Sequence, residues 1–476
     1  MERLASNRIV VESIGVLPEF WQESVVFVAN LLGIFFENEA EADLLLHEIG
    51  GAESYGGRLL PIINLLYAGE SGVQQDNLLV LEREPEPALV RYFNETVGLS
   101  LPETAILSHP DYLRLGLQLR SASPARATVT PRLLAKLQAC PARRMDGYVT
   151  DDTLECLASL CNKRNFSSVA GSRRGNNKYL LHQYLLEAGL PIPPTEIAED
   201  PGQIVPGLAR LQQAGFDSAV IKAPIGASGI GMEWVEFSNG QGGEAASHMP
   251  QSMSVPEHFF LEGPCLLQGW IKAGQQGVKG MYSPSVQLFL NDTQATMYDI
   301  TEQILGNESV HEGNESPPPY IAEHPEWRAE LLRQAGMIGA WLHEQGYRGT
   351  ASADFILCTL EHGGFVVYAC EVNARVTGAT YPSVLARHLM PDSLWMLRNV
   401  RFPTPISAEA LLDEFRKAGQ LFTPNAGEAG IFPINFNTGV DALVHKAQLL
   451  YLAPAWAGHS SLRLLAETHY GEFARD

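Results

Sequence analysis

Positive charge is scarce in this sequence. Its 476 residues carry 33 Lys and Arg against 54 Asp and Glu, a formal net charge of −21. A surface that acidic repels phosphate backbones, which argues against nucleic acid as a partner. Basic residues that gather in one place therefore stand out. Cysteine is sparse as well: Cys140, Cys156, Cys161, Cys265, Cys358 and Cys370 are the six. No two form a C-x-x-C pair, and the density is far below that of a disulfide scaffold. Reduced thiols in a cytoplasmic protein are the expectation. Long apolar runs are missing too. The longest early run, residues 25–36, contains Asn30 and is too short to span a bilayer. The chain does not open on a basic segment followed by an apolar core and a small-residue cleavage site. Neither a membrane nor a targeting role is expected, and no internal repeat is visible.

What remains is an ordinary globular composition, 45% hydrophobic and 18% charged. At roughly 150 residues per domain the length suggests about three domains. Residues 24–30, 77–81 and 104–108 read as short buried strands. Residues 38–49 read as a helix capped by Asn38, followed by a Gly56-Gly57 turn. Short buried strands separated by helices predict a small parallel α/β sheet. Residues 131–137 and 153–161 have the spacing of amphipathic helices, with Cys156 and Cys161 as packing residues. Residues 178–188 read as a helix closed by Gly189 and followed by Pro191, Pro193 and Pro194. Strands are expected at 218–223 and 232–237. The segment 239–256 and the segment 306–319 read as polar loops. A helix over 327–345 precedes a hairpin, 351–358 and 365–373, turned at His362-Gly363-Gly364. Short strands near 430–435 and 447–452 close the reading.

Three stretches carry chemistry. The hairpin's second strand ends Glu371-Val372-Asn373-Ala374-Arg375. Side chains alternate along a strand, so Glu371 and Asn373 share a face, with Asp354 on the partner strand. Two carboxylates and an amide oxygen on one face suit Mg²⁺. Arg375 at the strand end suits a transferring phosphoryl group. The plain alternative is a solvated strand face. The second stretch is Val220-Ile221-Lys222-Ala223-Pro224-Ile225-Gly226-Ala227-Ser228-Gly229-Ile230-Gly231. A lysine ending an apolar strand is costly to bury without an anion. The glycines after it allow backbone N–H groups to approach phosphate. The pattern is neither a Walker A loop nor a Rossmann fingerprint, and a plain hairpin tip is the alternative. With few apolar anchors, 226–231 is expected to be mobile without a ligand. The third stretch, Gly171-Ser172-Arg173-Arg174-Gly175-Asn176-Asn177-Lys178, is basic within an acidic chain, and Lys178 opens a helix.

In this order the three stretches resemble the ATP-grasp superfamily, over about residues 165–388. That resemblance implies a small N-terminal parallel α/β domain, 1–150, ahead of a two-subdomain ATP-grasp region of α+β character, 151–400. Its subdomains would be 175–275 and 276–400, with 401–476 packing on the catalytic part. By residue match, Lys178 and Lys222 would hold the α- and β-phosphates of ATP. The loop with Gly226, Ser228, Gly229 and Gly231 would close over them. Asp354, Glu371 and Asn373 would hold two Mg²⁺ ions, with Mn²⁺ as a substitute, and Arg375 and Lys222 would be catalytic. The run Leu266-Leu267-Gln268-Gly269-Trp270-Ile271 looks like the strand that contacts adenine, through Gln268, Trp270 and Ile271. Most relatives carry Glu near the place of Gln268, and many carry a second Lys where this chain has His182.

Ser283-Pro284-Ser285-Val286-Gln287-Leu288, the later Gln303-Ile304-Leu305-Gly306 and the small domain in front look like the pheganomycin-type peptide ligases. The implied activity is a carboxylate–amine ligase that forms an acyl phosphate from ATP. Its substrates would be a small carboxylate and an amino acid or peptide, and a homodimer is compatible with it. A thiol acceptor, or a nucleotide-binding module without chemistry, are the other readings.

Overall fold

The computed structural model describes residues 9–36, 38–49, 54–68, 76–120, 131–227, 229–237, 255–306, 311–424 and 429–473. Three sheets organise them. The first is a five-stranded parallel sheet ordered Glu103–Ile106, Leu78–Leu81, Val25–Val28, Arg144–Gly147, Arg164–Asn165. Its strands are buried on both faces, which is why they read as continuous apolar runs. Val26, Val28, Leu78 and Val80 pack one way, on the helices His109–Arg120, Pro131–Ala139 and Asp152–Leu160. Val25, Phe27, Leu79 and Leu81 pack the other way, into a core shared with the last strands of the chain. The chain reverses direction across the sheet between Val25–Val28 and Arg144–Gly147. Ligands gather at the carboxyl ends of strands at such a switch point.

The second sheet is antiparallel, ordered Thr195–Ala198, Cys265–Gly269, Ser218–Ala227, Ile230–Glu236. The third is a ten-stranded sheet, antiparallel except where Val10–Glu12 runs alongside Ala295–Leu305. Helix Pro325–Glu344 packs on it through Leu331, Ala335, Ile338 and Leu342. Strands Ser393–Ile406, Val444–Pro454 and Gly430–Thr438 continue this same sheet. No helix among the described residues is long and apolar enough to cross a membrane.

Two expectations fail. The glycine-rich stretch is no free loop. Strand Ser218–Ala227 runs through Gly226 and Ala227, and the partner resumes at Ile230. It has apolar anchors: Ile225 and Ile230 pack against Leu32, Ile34, Phe35 and Leu45 of the N-terminal region. The expected mobility overlooked these partners because they lie nearly 200 residues away in sequence. The segment 306–319 contains a strand, His311–Ser316, between Ala295–Leu305 and Ser393–Ile406. Its composition is poor for a strand, and pairing on both sides outweighs propensity. Distant groups meet two of its buried side chains: Ser316 Oγ donates to Asp299 at 2.7 Å, and Arg463 reaches Glu315 Oε1 at 3.0 Å. The polar stretch 239–256 lies mostly outside the described residues.

Candidate active site

Helix Lys178–Glu187 starts where it does because the Asn177 side chain accepts the Leu180 N–H at 3.0 Å. That cap sets Lys178 at the first helical position, almost fully buried. Its ammonium lies 2.9 Å from Glu371 Oε1 and donates to the Gly226 carbonyl at 3.1 Å. One lysine thus ties together all three stretches that stood out in the sequence.

The acid hairpin consists of Gly349–Leu360 and Phe365–Asn373, with Asp354 opposite Glu371 and Ser352 opposite Asn373. A bulge follows Asp354. Asp354 accepts hydrogen bonds from Ser285 Oγ at 2.6 Å, Ser352 Oγ at 3.1 Å and Asn373 Nδ2 at 2.9 Å. Burial, reinforced by the Glu371 charge, pushes its carboxyl up to about 6. Burial would raise Glu371 as well, but Lys178 and Arg375 outweigh it and hold that carboxyl below the usual range. Asn373 gives its amide N–H to Asp354, and its Oδ1 is buried with no partner. A buried amide oxygen without a donor is a site for a cation. Asp354, Glu371 and Asn373 therefore fit a hard-oxygen metal site of two acids and one amide. Among the described residues, no cluster of three or more His, Cys, Asp and Glu offers another.

Burial pulls Lys222 below the ordinary lysine range, with Glu371 and Cys370 opposing the shift. Arg375 donates to Asn176 Oδ1 at 2.7 Å, and Asn176 also bonds the Ala374 backbone in both directions. Asp354, Glu371, Asn373 and Arg375 line one cavity of about 1500 Å³, together with Ala227 and Gly229. Glycine is needed at the hairpin. A Cβ at Gly226 would come within 2.5 Å of the Ile230 carbonyl oxygen, and Gly229 and Gly231 have φ of +84° and +77°. Ser228 lies outside the described residues.

The residues matched to an adenine-contacting strand are less united. Trp270 lines the cavity beside Trp234, their rings 4.4 Å apart and nearly perpendicular. The Trp270 N–H is engaged by the Ser218 carbonyl at 2.9 Å. Gln268 is buried and turned to Thr195 Oγ1 at 3.2 Å, and Ile271 follows the strand on its exit. Ser285 and Ser352, which orient Asp354, and Asn176, which orients Arg375, carried no functional sign as isolated polar residues. Asn176 could have been suspected from its place in the basic stretch, and Ser285 from its place in the run 283–288. Arg173 of that stretch is spent on Glu262 and Asp152.

Glu41 was missed as well. It is 1% exposed, both carboxylate oxygens are buried without a partner, and Gly231 stands beside it. Burial raises its carboxyl from 4.5 to about 7, against the pull of Lys178. Between those values the folded protein holds a proton that the unfolded chain has released. Stability is therefore lost as pH rises from about 4.5 to about 7. The full penalty is roughly 3 kcal/mol. Glu41→Gln should remove it, raising Tm little near pH 5 and most near pH 8. An equal gain at both, or none, in thermal denaturation would sink this account.

No protein-family model matches the chain. The butirosin acyl-carrier-protein–L-glutamate ligase of Niallia circulans is 27% identical over 214 residues, 45% of this chain and 46% of that one. The match thus spans about half the length of that relative. Among solved structures, the biotin carboxylase of Campylobacter jejuni aligns at a TM-score of 0.50 with 13% identity, over 90% of this chain and 87% of its own. The N5-carboxyaminoimidazole synthetase of Staphylococcus aureus aligns over 97% and 100% at 0.48 with 11% identity. At 13% identity the likeness to the biotin carboxylase is one of fold: the chain has the architecture of the ATP-grasp proteins.

Proposed function

We propose that this protein is an ATP-dependent ligase that activates a carboxylate as an acyl phosphate, transfers the acyl group to an amine, and releases ADP and phosphate. The setting would be cytoplasmic peptide or secondary-metabolite biosynthesis. The observation that carries this reading is convergence. Asp354, Glu371, Asn373 and Arg375 from the acid hairpin line one cavity, and behind Glu371 meet Lys178 from a helix, which also holds the Gly226 carbonyl, and Lys222 from the four-stranded sheet. The relative's name, a ligase of L-glutamate and an acyl-carrier protein, supports a ligase reading here.

In this reading the phosphates of ATP lie near Lys178 and Lys222, under the hairpin that carries Gly226, Gly229 and Gly231. Asp354, Glu371 and Asn373 hold Mg²⁺, which when bound neutralises phosphate oxygens. A carboxylate oxygen of the donor attacks the γ-phosphorus in line, and the bond to ADP breaks. The amine then attacks the acyl carbon, loses a proton, and expels phosphate. Arg375 sits where a fixed cation can meet the developing oxyanion. Seating of Ile225 and Ile230 on the N-terminal platform keeps water from the intermediate.

Carboxylate substrate labelled with ¹⁸O tests this. Label is expected in inorganic phosphate, with ADP as the nucleotide product. Pyrophosphate together with labelled AMP would mean attack at the α-phosphate and would overturn the reading.

A further inference from the structure

The cavity does not end at the acid hairpin. Its lining also includes Arg58, from the turn Gly56–Leu59 of the N-terminal region. This turn is built with care. Glu82, at the carboxyl end of strand Leu78–Leu81, accepts the Gly56 N–H at 3.1 Å and the Ser54 hydroxyl at 2.7 Å. Asn435 donates to the Ser54 carbonyl at 2.7 Å, and Asn437 accepts the Ser54 N–H at 3.0 Å. A Cβ at Gly56 would meet Glu82 at 2.4 Å, and one at Gly57 would meet Asn435 at 2.4 Å. Glycine is therefore required at both positions before Arg58 can be presented.

The guanidinium lies 4.2 Å from the Tyr55 ring centroid and 5.9 Å from that of Tyr381, and Nη1 donates to the Tyr381 hydroxyl at 3.2 Å. Its Nε is buried with no partner. No carboxylate of the described residues forms an ion pair with it, and the groups that act on it are tyrosines. Arg58 is half-buried, its Nε is closed off from water, and no anion of the described residues stands beside its guanidinium; desolvating a cation this far is costly, so a protein that builds a tied-down turn to hold it has an anion to receive. The neighbouring wall adds His311 and Asn314, and Arg401 and Lys446 line the cavity as well. The acids on the cavity wall are Glu236 and the metal candidates Asp354 and Glu371.

We infer that Arg58, held by Tyr55 and Tyr381, binds a substrate carboxylate that the reaction does not consume, and that this carboxylate belongs to the amine acceptor, an amino acid or peptide. This rests on the ligase reading above. The donor carboxylate must stand at Arg375 and the metal candidates, where it is phosphorylated. The amine has to approach a face of the acyl carbonyl, so the acceptor lies beside the acyl phosphate and needs its own place in the cavity. Arg58 faces the cavity from the N-terminal sheet, at the carboxyl ends of strands flanking the switch point, where ligands of open α/β sheets gather. A cavity of about 1500 Å³ has room for a nucleotide and a second ligand.

The test is binding without turnover. The full chain, with Mg²⁺ and a non-hydrolysable ATP analogue, is titrated by calorimetry with the proteinogenic L-amino acids, simple dipeptides and their carboxamides. At least one free acid should bind, and its carboxamide should bind weaker by on the order of 10- to 100-fold. Arg58→Ala and Arg58→Lys should lose that discrimination while keeping affinity for the nucleotide analogue. Equal binding of acid and carboxamide, or no binding by any member, overturns the inference. So does an Arg58→Ala variant that still prefers the acid. Binding of simple dicarboxylates that carry no amine, lost in Arg58→Ala, would assign the site to the donor instead and also overturns it. Label transfer from ¹⁸O-carboxylate is read separately, so failure of the acyl-phosphate chemistry is distinguishable from failure of this site.

Discussion

Glu371→Ala should abolish ADP release, a loss on the order of 10³-fold or more, because two functions sit on one carboxylate. Glu371 faces Asp354 across the hairpin, beside Asn373 with its buried, unpartnered Oδ1, and in the proposed function these three would hold Mg²⁺. It is also the ion-pair partner of Lys178 at 2.9 Å, and it acts on Lys222 and Arg375. Removing it leaves three cations around the cavity without their shared counter-charge. Stability in the absence of nucleotide should fall by roughly 1–3 kcal/mol, the Lys178 partner being buried but Glu371 itself part-exposed. Glu371→Gln keeps the shape and should lose turnover with a smaller stability loss. Affinity for ATP in the absence of Mg²⁺ should hold or rise in both variants, since the phosphates then meet uncompensated positive charge. Its dependence on Mg²⁺ should flatten. ADP release at the wild-type rate at ordinary Mg²⁺ would remove Glu371 from the metal site.

Arg375→Ala should leave ATP affinity within a few-fold and lower the turnover rate on the order of 10²- to 10³-fold. The reason is placement. Lys178 and Lys222 stand by the glycine hairpin, whereas Arg375 lies past the end of the acid strand, tied by Asn176 at 2.7 Å to the helix that precedes Lys178. In the proposed mechanism a cation held there would meet charge that appears only as the acyl carbon changes geometry. Arg375→Lys should recover little, because a lysine cannot keep the planar fork against both Asn176 and substrate. Asn176→Ala should be intermediate, since it loosens Arg375 without removing it. A large rise in ATP dissociation constant with an unchanged rate would make Arg375 a phosphate-binding residue instead.

Much of the site was legible because its parts are local. Strand alternation puts Glu371 and Asn373 on one face, a cap at Asn177 starts the helix at Lys178, and an apolar run ending in Lys222 is a strand ending in a charge. Each rests on spacing within a few residues. Legibility failed where the deciding partner is far along the chain. Asn314 and Glu315 lie in a strand because Ala295–Leu305 and Ser393–Ile406 flank it. The glycine hairpin is anchored because Leu32, Phe35 and Leu45 meet Ile225 and Ile230. The residues matched to an adenine-contacting strand fall between these cases: their strand was found, but the direction of the Gln268 amide toward Thr195 depends on the register of a neighbouring strand.

By itself, the sequence determined the parallel N-terminal sheet, the acid hairpin with three oxygen-bearing side chains on one face, and the place of the two lysines, since hydrophobic period, caps and strand alternation act over single elements. Only the tertiary structure decided that Lys178 would bridge Glu371 and the Gly226 carbonyl, that Ser285 and Ser352 would aim Asp354, and that the Glu41 carboxylate oxygens and Arg58 Nε would be closed off without hydrogen-bond partners. A charge has no visible partner until distant elements remove water from around it, and that happens only when the sheets close on one cavity.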